Sequence, residues 1–393
     1  MAELEVLRDD PAVLISDDGL VAGVGKRLEL QTPAGCEEVP VEGVLFPGFV
    51  DSHTHAVFGV ARTADHERRA RGTDYKQIAA EGGGILSSVR SVRKLPRNEL
   101  TELTSRRLKL MLSLGSTTVE VKSGYGLALE PELKQLEVIQ DVSHIGPDVV
   151  PTFLGAHEIP EEFGDRPNDY VDVVINEMMP VVEERGLARF CDVFCEPGVF
   201  TVDQSRRILQ GALDHRMKLK LHADELDGSG GAELAVELGA VSADHLAAIS
   251  SEGIKKISQS QTLAVFLPGT LLFLGRNCLA PAREIIDKGG AVALATDFNP
   301  GSSPGLSLPL MGMMAVSQLR MLPAEAVTAI TVNGAAAVDE AHTRGQIAPG
   351  FRADLVLASV RDWRELVYWY GTNLVSRCWV KGSPCDSDNA AVN

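Results

Sequence analysis

Pro47-Gly48-Phe49-Val50-Asp51-Ser52-His53-Thr54-His55 decides how the rest of the chain is read. Val44, Leu45 and Phe46 lead into it, and an apolar run followed by Gly and further apolar residues predicts one buried strand, Val44–His55. Residues i and i+2 of a strand face the same side. His53 and His55 therefore project together from one strand end, close enough to share a cation. A catalytic metal site needs two or three nitrogen ligands, a carboxylate and an open position. Two polar residues closing a strand is the competing reading, and the motif alone does not separate the two.

Outward from this stretch, strand-like and helix-like runs alternate. Further strands are expected at Ser116–Lys122, Val149–His157, Phe190–Glu196, Lys218–His222, Gly239–His245, Leu263–Pro268 and Ala291–Asp297, with helices such as Arg97–Leu114, Tyr170–Glu184, Gln204–His215 and Gly231–Leu238 between them. Counting the first, eight such strands predict an α/β fold, a (β/α)8 TIM-like barrel. A doubly wound open sheet is the alternative, but no Gly-rich nucleotide fingerprint follows the first strand. The polar residues then fall at strand ends: His53 and His55 on the first, His157 on the third, His222 on the fifth, His245 on the sixth and Asp297 on the eighth. Barrel active sites are built at that carboxyl face. A single terminal histidine is usually structural; a set on four strands is not what chance delivers. His66, His144, His215 and His342 lie in helices or loops and receive no role.

At the start, Ala12–Ser16 and Leu20–Val24 flank Asp17-Asp18-Gly19, a hairpin signal. After the barrel comes an Ala-rich helix, Pro323–Ala337, opened by Pro. Gly345–Leu357 then turns into a strand, and Val375–Val380 is another. The expected organisation is a barrel over 47–345 and a small β-sandwich domain built from both chain ends, 1–46 and 346–393, with Asp386–Asn393 frayed.

Composition narrows the function classes. With 45% apolar and 23% charged residues in 393, the chain reads as an ordinary soluble globular protein. A net charge of −17 argues against a nucleic-acid or membrane partner and requires a local cationic pocket for any anionic substrate. No apolar run reaches the length of a membrane span, and Met1-Ala2-Glu3-Leu4-Glu5 lacks a signal-peptide pattern. The six cysteines, Cys36, Cys191, Cys195, Cys278, Cys378 and Cys385, show no framework spacing, and Cys191 and Cys195 read as buried thiols. A reducing cytoplasm is the expected location.

His-x-His on strand one, His on strands five and six, and Asp on strand eight resemble the pattern of the amidohydrolase superfamily. More closely, the chain is similar to the imidazolonepropionase family within it. The stretches that carry this likeness are Asp51–Gly59, Glu81-Gly82-Gly83-Gly84-Ile85, Glu120-Val121-Lys122-Ser123-Gly124-Tyr125-Gly126, Phe153–His157, Leu221-His222-Ala223-Asp224-Glu225 and Thr296-Asp297-Phe298-Asn299-Pro300-Gly301-Ser302. The resemblance runs from about residue 44 to the end. His-x-His alone is shared widely; the Lys-Ser-Gly-Tyr-Gly, Gly-Gly-Gly-Ile and Asp-Phe-Asn-Pro-Gly-Ser stretches are specific together.

The resemblance implies hydrolysis of 4-imidazolone-5-propanoate to N-formimidoyl-L-glutamate in histidine degradation. The runner-up is another amidohydrolase, an aminohydrolase or deaminase acting on a cyclic amide or amidine. A ligand-depleted, non-enzymatic scaffold is disfavoured because every candidate ligand is present. By the same likeness His53, His55, His222 and Asp297 hold one divalent or trivalent metal ion, zinc or iron. Glu225 is the expected proton carrier, His245 donates to the developing oxyanion, and Asp297 shares the proton traffic. Arg62 is the expected clamp for the propanoate, since guanidinium binds carboxylate bidentately; the alternative for its run with Arg68, Arg69 and Arg71 is a basic surface face. Tyr125, His157, Glu225, Asn299, Gly301 and Ser302 are the other substrate contacts it implies, and a homodimer is the implied assembly. Gly82-Gly83-Gly84 allows positive φ and a lid-like or merely flexible loop. Against the family pattern the chain begins late, which predicts a small β domain short of a strand. Gly59-Val60-Ala61-Arg62 also stands where a more polar stretch is usual. Glu196, not Lys, stands at the end of strand four, so a lysine-bridged pair of metals is not expected.

Overall fold

The structure, a computed structural model, describes residues 3–74, 77–78, 81–276 and 279–385; Cys278 and the stretch 386–393 lie outside them. Strands β1 (Pro11–Ile15) and β2 (Val21–Lys26) form an antiparallel hairpin, turned at Gly19 with φ 78°. The expected single strand Val44–His55 is two strands in two sheets. β3 (Val44–Pro47) pairs antiparallel with β12 (Leu355–Ala358), and β13 (Val375–Val380) and β14 (Ser383–Cys385) complete a sheet of order β14-β13-β12-β3. β4 (Phe49–Asp51) opens the barrel. Gly48 allows the switch: a Cβ there would come within 2.0 Å of Thr117 Oγ1.

The barrel continues through β5 (Ser116–Lys122), β6 (Asp148–Ala156), β7 (Phe190–Cys195), β8 (Lys218–Ala223), β9 (Ser242–His245), β10 (Leu263–Phe266) and β11 (Val292–Leu294), all parallel neighbours in chain order. First and last strands meet at the motif itself. Thr54 bridges Phe298 in parallel, His55 N–H donates to Phe298 O at 2.8 Å, and Asp297 N–H donates to His53 O at 3.0 Å.

Strand alternation sorts the buried side chains into layers. Val50, Val150 and Phe190 pack with Ala335 and Val338, while Val265, Ala293 and Ala295 pack with Ala337, so the short helix Val332–Ala337 plugs the amino end of the barrel. Two residues further along the same strand faces stand polar groups, Asp192 after Phe190 and Lys220 before His222. Val119, Val121, Val193, Leu219, Leu221 and Ala243 face the other way, into the main core under the helices. Of the expected helices, Pro323–Ala337 is two, Pro323–Ala329 and Val332–Ala337, and Tyr170–Glu184 carries a wide π-helical turn at Val174–Met178 between Pro167–Val173 and Met179–Glu184.

Candidate metal centre and substrate cleft

His53 and His55 lie just past β4, His222 near the end of β8, and Asp297 beyond β11; all four are buried. His222 Nε2 is 3.4 Å from His55 Nε2, and Asp297 Oδ1 is 3.5 Å from His55 Nε2 and 3.6 Å from His53 Nε2. These are the separations of ligands around one ion: nitrogen ligands about 2.05 Å from a tetrahedral zinc stand about 3.3 Å from each other. His53 Nε2 is buried without a hydrogen bond, which a cation would supply. The donor set, imidazole nitrogens with a carboxylate, suits zinc or iron. His53, His55 and His222 group tightly enough for a metal, and so do His53, His245 and Asp297.

The supports below are carboxylates. His53 Nδ1 donates to Asp244 Oδ2 at 2.6 Å, and His222 Nδ1 lies 3.0 Å from Asp192 Oδ2. Thr270 Oγ1 donates to Asp297 Oδ2 at 2.6 Å and leaves Oδ1 facing the histidines. Burial pushes the imidazoles of His53, His55 and His245 well below the usual histidine range, so they stand neutral with lone pairs to offer. Burial raises the Asp297 carboxyl to about 6, against the Thr270 hydrogen bond.

His245 and Asp297 sit in left-handed backbone, φ 79° and 52°. On the alternation of β9, Asp244 faces the barrel axis and His245 should face outward. The left-handed turn brings His245 back over the site, its Nε2 3.7 Å from Glu225 Oε2. Glu225 follows β8, and its loop is pinned by Glu196, which accepts from Glu225 N–H at 3.1 Å and Asp227 N–H at 2.7 Å. Burial, then the Asp297 and Glu196 charges, raise the Glu225 carboxyl well above the usual carboxylate range.

A cleft opens over these groups, lined also by Arg62, Tyr125, His157, Asn299 and Ser302, with about 450 Å³ of free space counting its mouth. Arg62 caps the helix Thr63–Ala70 and is 8% exposed, with its Nε buried and without a hydrogen bond. This is a buried guanidinium, not the basic surface that the surrounding arginines made the alternative. Its backbone N–H donates to Pro300 O at 2.9 Å, and its side chain lies flat against Gly301, where a Cβ would fall 1.7 Å from Nη2. Gly301 thus serves by leaving room for Arg62. Asn299 Oδ1 accepts from the N–H groups of Gly301 and Ser302, both at 2.8 Å, and holds that loop shut. Glu132 accepts from Gly124, Gly126 and Leu127 N–H and sets the loop that carries Tyr125. His157 Nδ1 donates to Gly124 O at 3.0 Å, and burial lowers its pKa to about 3. Its Nε2 is therefore an acceptor. Gly82 and Gly84 adopt positive φ, 84° and 65°, and Gly84 N–H donates to Asp65 Oδ2 at 2.9 Å.

Sequence reasoning assigned nothing to Lys122, Asp192, Asp244 or Thr270. A signal was present for some of them: Glu120 and Lys122, Lys220 and His222, and Ser242 and Asp244 are polar pairs at i and i+2 separated by the apolar Val121, Leu221 and Ala243.

An eight-stranded barrel with this cluster at its carboxyl end defines the amidohydrolase class, and the chain belongs to the amidohydrolase family, whose model matches residues 44–383. Imidazolonepropionase of Alkaliphilus metalliredigens is 44% identical over 97% of this chain and 91% of its own length; that of Geobacillus sp. (strain WCH70) is 46% identical over 95% and 89%. Within the amidohydrolases, the chain is a member of the imidazolonepropionase family. Solved structures share the fold at low identity. An adenosine deaminase from Xanthomonas campestris with bound zinc has a TM-score of 0.69 at 18% identity, covering 96% of this chain and 89% of its own. A 5-methylcytosine deaminase from Klebsiella pneumoniae has 0.75 at 16%, covering 100% and 98%. Among the described residues no helix is long and apolar enough to cross a membrane.

Proposed function

We propose that this chain hydrolyses 4-imidazolone-5-propanoate to N-formimidoyl-L-glutamate, with His53, His55, His222 and Asp297 holding one zinc or iron ion. The observation that carries this reading is that a single cleft joins His55, His222 and Asp297, three of the four converging ligands, to the buried side chain of Arg62. The substrate has the two matching parts, a cyclic amide and a propanoate. When bound, such an ion lowers the pKa of water and polarises a carbonyl oxygen.

Arg62 binds the propanoate and thereby fixes the ring over the floor of the cleft. His157, an acceptor at Nε2, takes a ring N–H; Tyr125, Asn299 and Ser302 line the remaining edge. Glu225 accepts a proton from the water that adds to the ring carbonyl carbon. It returns that proton to the ring nitrogen as the C–N bond breaks, and a carboxyl raised by burial is suited to both halves of the transfer. His245 donates to the carbonyl oxygen as negative charge collects there.

Imidazolonepropionate, made in situ from urocanate with urocanase, absorbs in the near ultraviolet, and its decay reads the reaction. Metal-loaded protein should consume it. Glu225→Gln should keep its metal and lose roughly 10²–10⁴-fold in kcat, the usual range for a general acid–base group. Metal-loaded wild type that leaves the substrate untouched would remove this assignment, and ammonia release without ring opening would point to an aminohydrolase.

A further inference from the structure

The Lys-Ser-Gly-Tyr-Gly stretch contains a group that the proposed reaction does not use. Lys122 is fully buried inside the barrel, beneath the histidines. Its Nζ donates to Asp192 Oδ2 at 2.8 Å and Glu120 Oε1 at 2.7 Å, and lies 3.9 Å from Asp244 Oδ2. The two aspartate oxygens it faces are the same atoms that face the imidazoles: Asp192 Oδ2 is 3.0 Å from His222 Nδ1, and Asp244 Oδ2 accepts from His53 Nδ1 at 2.6 Å. The other oxygen of each aspartate is held separately. Asp192 Oδ1 accepts from Val193 N–H at 2.7 Å and His222 N–H at 3.1 Å, and Asp244 Oδ1 accepts from Ser242 Oγ at 2.6 Å. One ammonium therefore stands between two carboxylates, and each carboxylate stands between that ammonium and one histidine.

We propose that Lys122 is a positioning residue for the metal centre: it holds Asp192 and Asp244 so that His222 and His53 both carry hydrogen on Nδ1 and present Nε2 to the ion. An ionised carboxylate can only accept, so the imidazole nitrogen that faces it, His53 Nδ1 in a hydrogen bond and His222 Nδ1 by a 3.0 Å approach outside hydrogen-bond geometry, is the one to carry the hydrogen. Two carboxylates drawn together without the ammonium would repel and rotate off the rings, and each imidazole would then be free to exchange tautomers. Lys220 does not substitute. Its Nζ is equally 3.9 Å from Asp244 Oδ2, but it donates to Ser52 O at 3.1 Å and Ala337 O at 3.0 Å and, unlike Lys122, makes no ion pair with Asp192. Carboxylate partners of metal-bound histidines fix ring orientation in general; here a single lysine links two of them.

The inference rests on the proposed metal site, and the experiment separates the two. Full-length protein is stripped with chelator, and zinc affinity is measured by competition with a chromophoric chelator for wild type, Lys122→Met and Lys122→Gln. Lys122→Met should bind zinc roughly 10–100-fold more weakly, the range seen for lost outer partners, and Lys122→Gln, which keeps a donor, less so. The double variant with Asp192→Asn should fall short of the sum of the singles, since both act on one histidine. Nitrogen-15 spectra of histidine-labelled, metal-free wild type should show His53 and His222 as fixed Nδ1–H tautomers, and mixed tautomers in Lys122→Met. A merely structural lysine would lower thermal stability without moving either zinc affinity or tautomers. Unchanged affinity in the lysine variants overturns the inference while the metal site stands; absence of zinc binding by wild type overturns the metal site itself. If the variants do not fold, the wild-type spectrum decides alone, and mixed tautomers at His53 or His222 overturn it.

Discussion

The two ends of this barrel are made from the same strands and both hold charged groups, yet they treat those groups differently. At the amino end, Asp148 meets Arg344 at 3.1 Å and also pairs with Arg352, Arg344 Nη1 donates to Thr118 Oγ1 at 2.6 Å, and Arg352 Nε lies 3.1 Å from Asp354. Burial alone would raise the Asp148 carboxyl, but the Arg352 hydrogen bond and the Arg352 and Arg344 charges outweigh it and hold it below the usual range. At the carboxyl end, burial wins: Asp297 and Glu225 are raised. Buried atoms without hydrogen bonds occur at both ends, but Arg344 Nε and Arg352 Nε belong to guanidiniums otherwise paired with Asp148, whereas His53 Nε2, His55 Nδ1, His245 Nε2 and Arg62 Nε converge on the cleft, and His245 and Asp297 hold strained backbone. Charge set against opposite charge stabilises a fold. Buried donors and acceptors left without partners cost stability unless a ligand completes them, which locates the chemistry.

Removing the metal should break this comparison most sharply. Chelation should abolish turnover and restored zinc should recover it. It should also lower the unfolding free energy, by about 4 kcal/mol if free metal had stood at about 1,000 times its Kd, because only the folded chain has the site. Thermal melts with and without chelator check the second point; equal melting temperatures would mean that no ion completes the carboxyl end. Arg62→Met should come next. A guanidinium–carboxylate pair contributes about 1.5–3 kcal/mol per hydrogen bond, so kcat/KM should fall about 10²-fold, chiefly through KM. A change under about threefold would take the propanoate away from Arg62.

The difference between the ends also explains what could be read from the chain alone. Strand ends were legible because a short strand-like run closed by a polar residue is a local signal, and it pointed to His222 and, just beyond the strand Val292–Leu294, to Asp297. The switch at Gly48 was legible only as the Pro47-Gly48 break in the apolar run; that β3 finds its partner in β12, some three hundred residues on, was not. His245 was placed on its strand, but its turn toward the axis depends on a left-handed φ that a non-glycine residue does not announce. Arg62 was set apart from Arg68, Arg69 and Arg71 by resemblance alone, and what sets it apart in the fold is Gly301, distant in sequence and pressed against it. Lys122, Asp192 and Asp244 were visible as letters in apolar strands, but their joint role needs the closed barrel that brings β5, β7 and β9 around one axis.

Asp148→Asn probes the matched end and should have the smallest effect. It leaves Arg344 and Arg352 facing an amide. Asp148 is 30% exposed while Arg344 and Arg352 are largely buried, so the loss should lie between that of a surface pair and that of a buried one, about 1–2 kcal/mol. The pH dependence has a definite sign. The folded pKa lies below the unfolded value of 3.8, so the stabilisation is present above 3.8 and disappears as pH falls through the lowered folded value. Urea unfolding should therefore show wild type more stable than the variant at neutral pH, with the gap closing in strong acid. Because Asp148 lies at the opposite end of the barrel from the cleft, kcat/KM and zinc affinity should stay at the wild-type values. If Asp148→Asn weakened zinc binding as Lys122→Met is expected to, the two ends would be coupled through the barrel interior, and the division between a stabilising end and a reactive end would not hold.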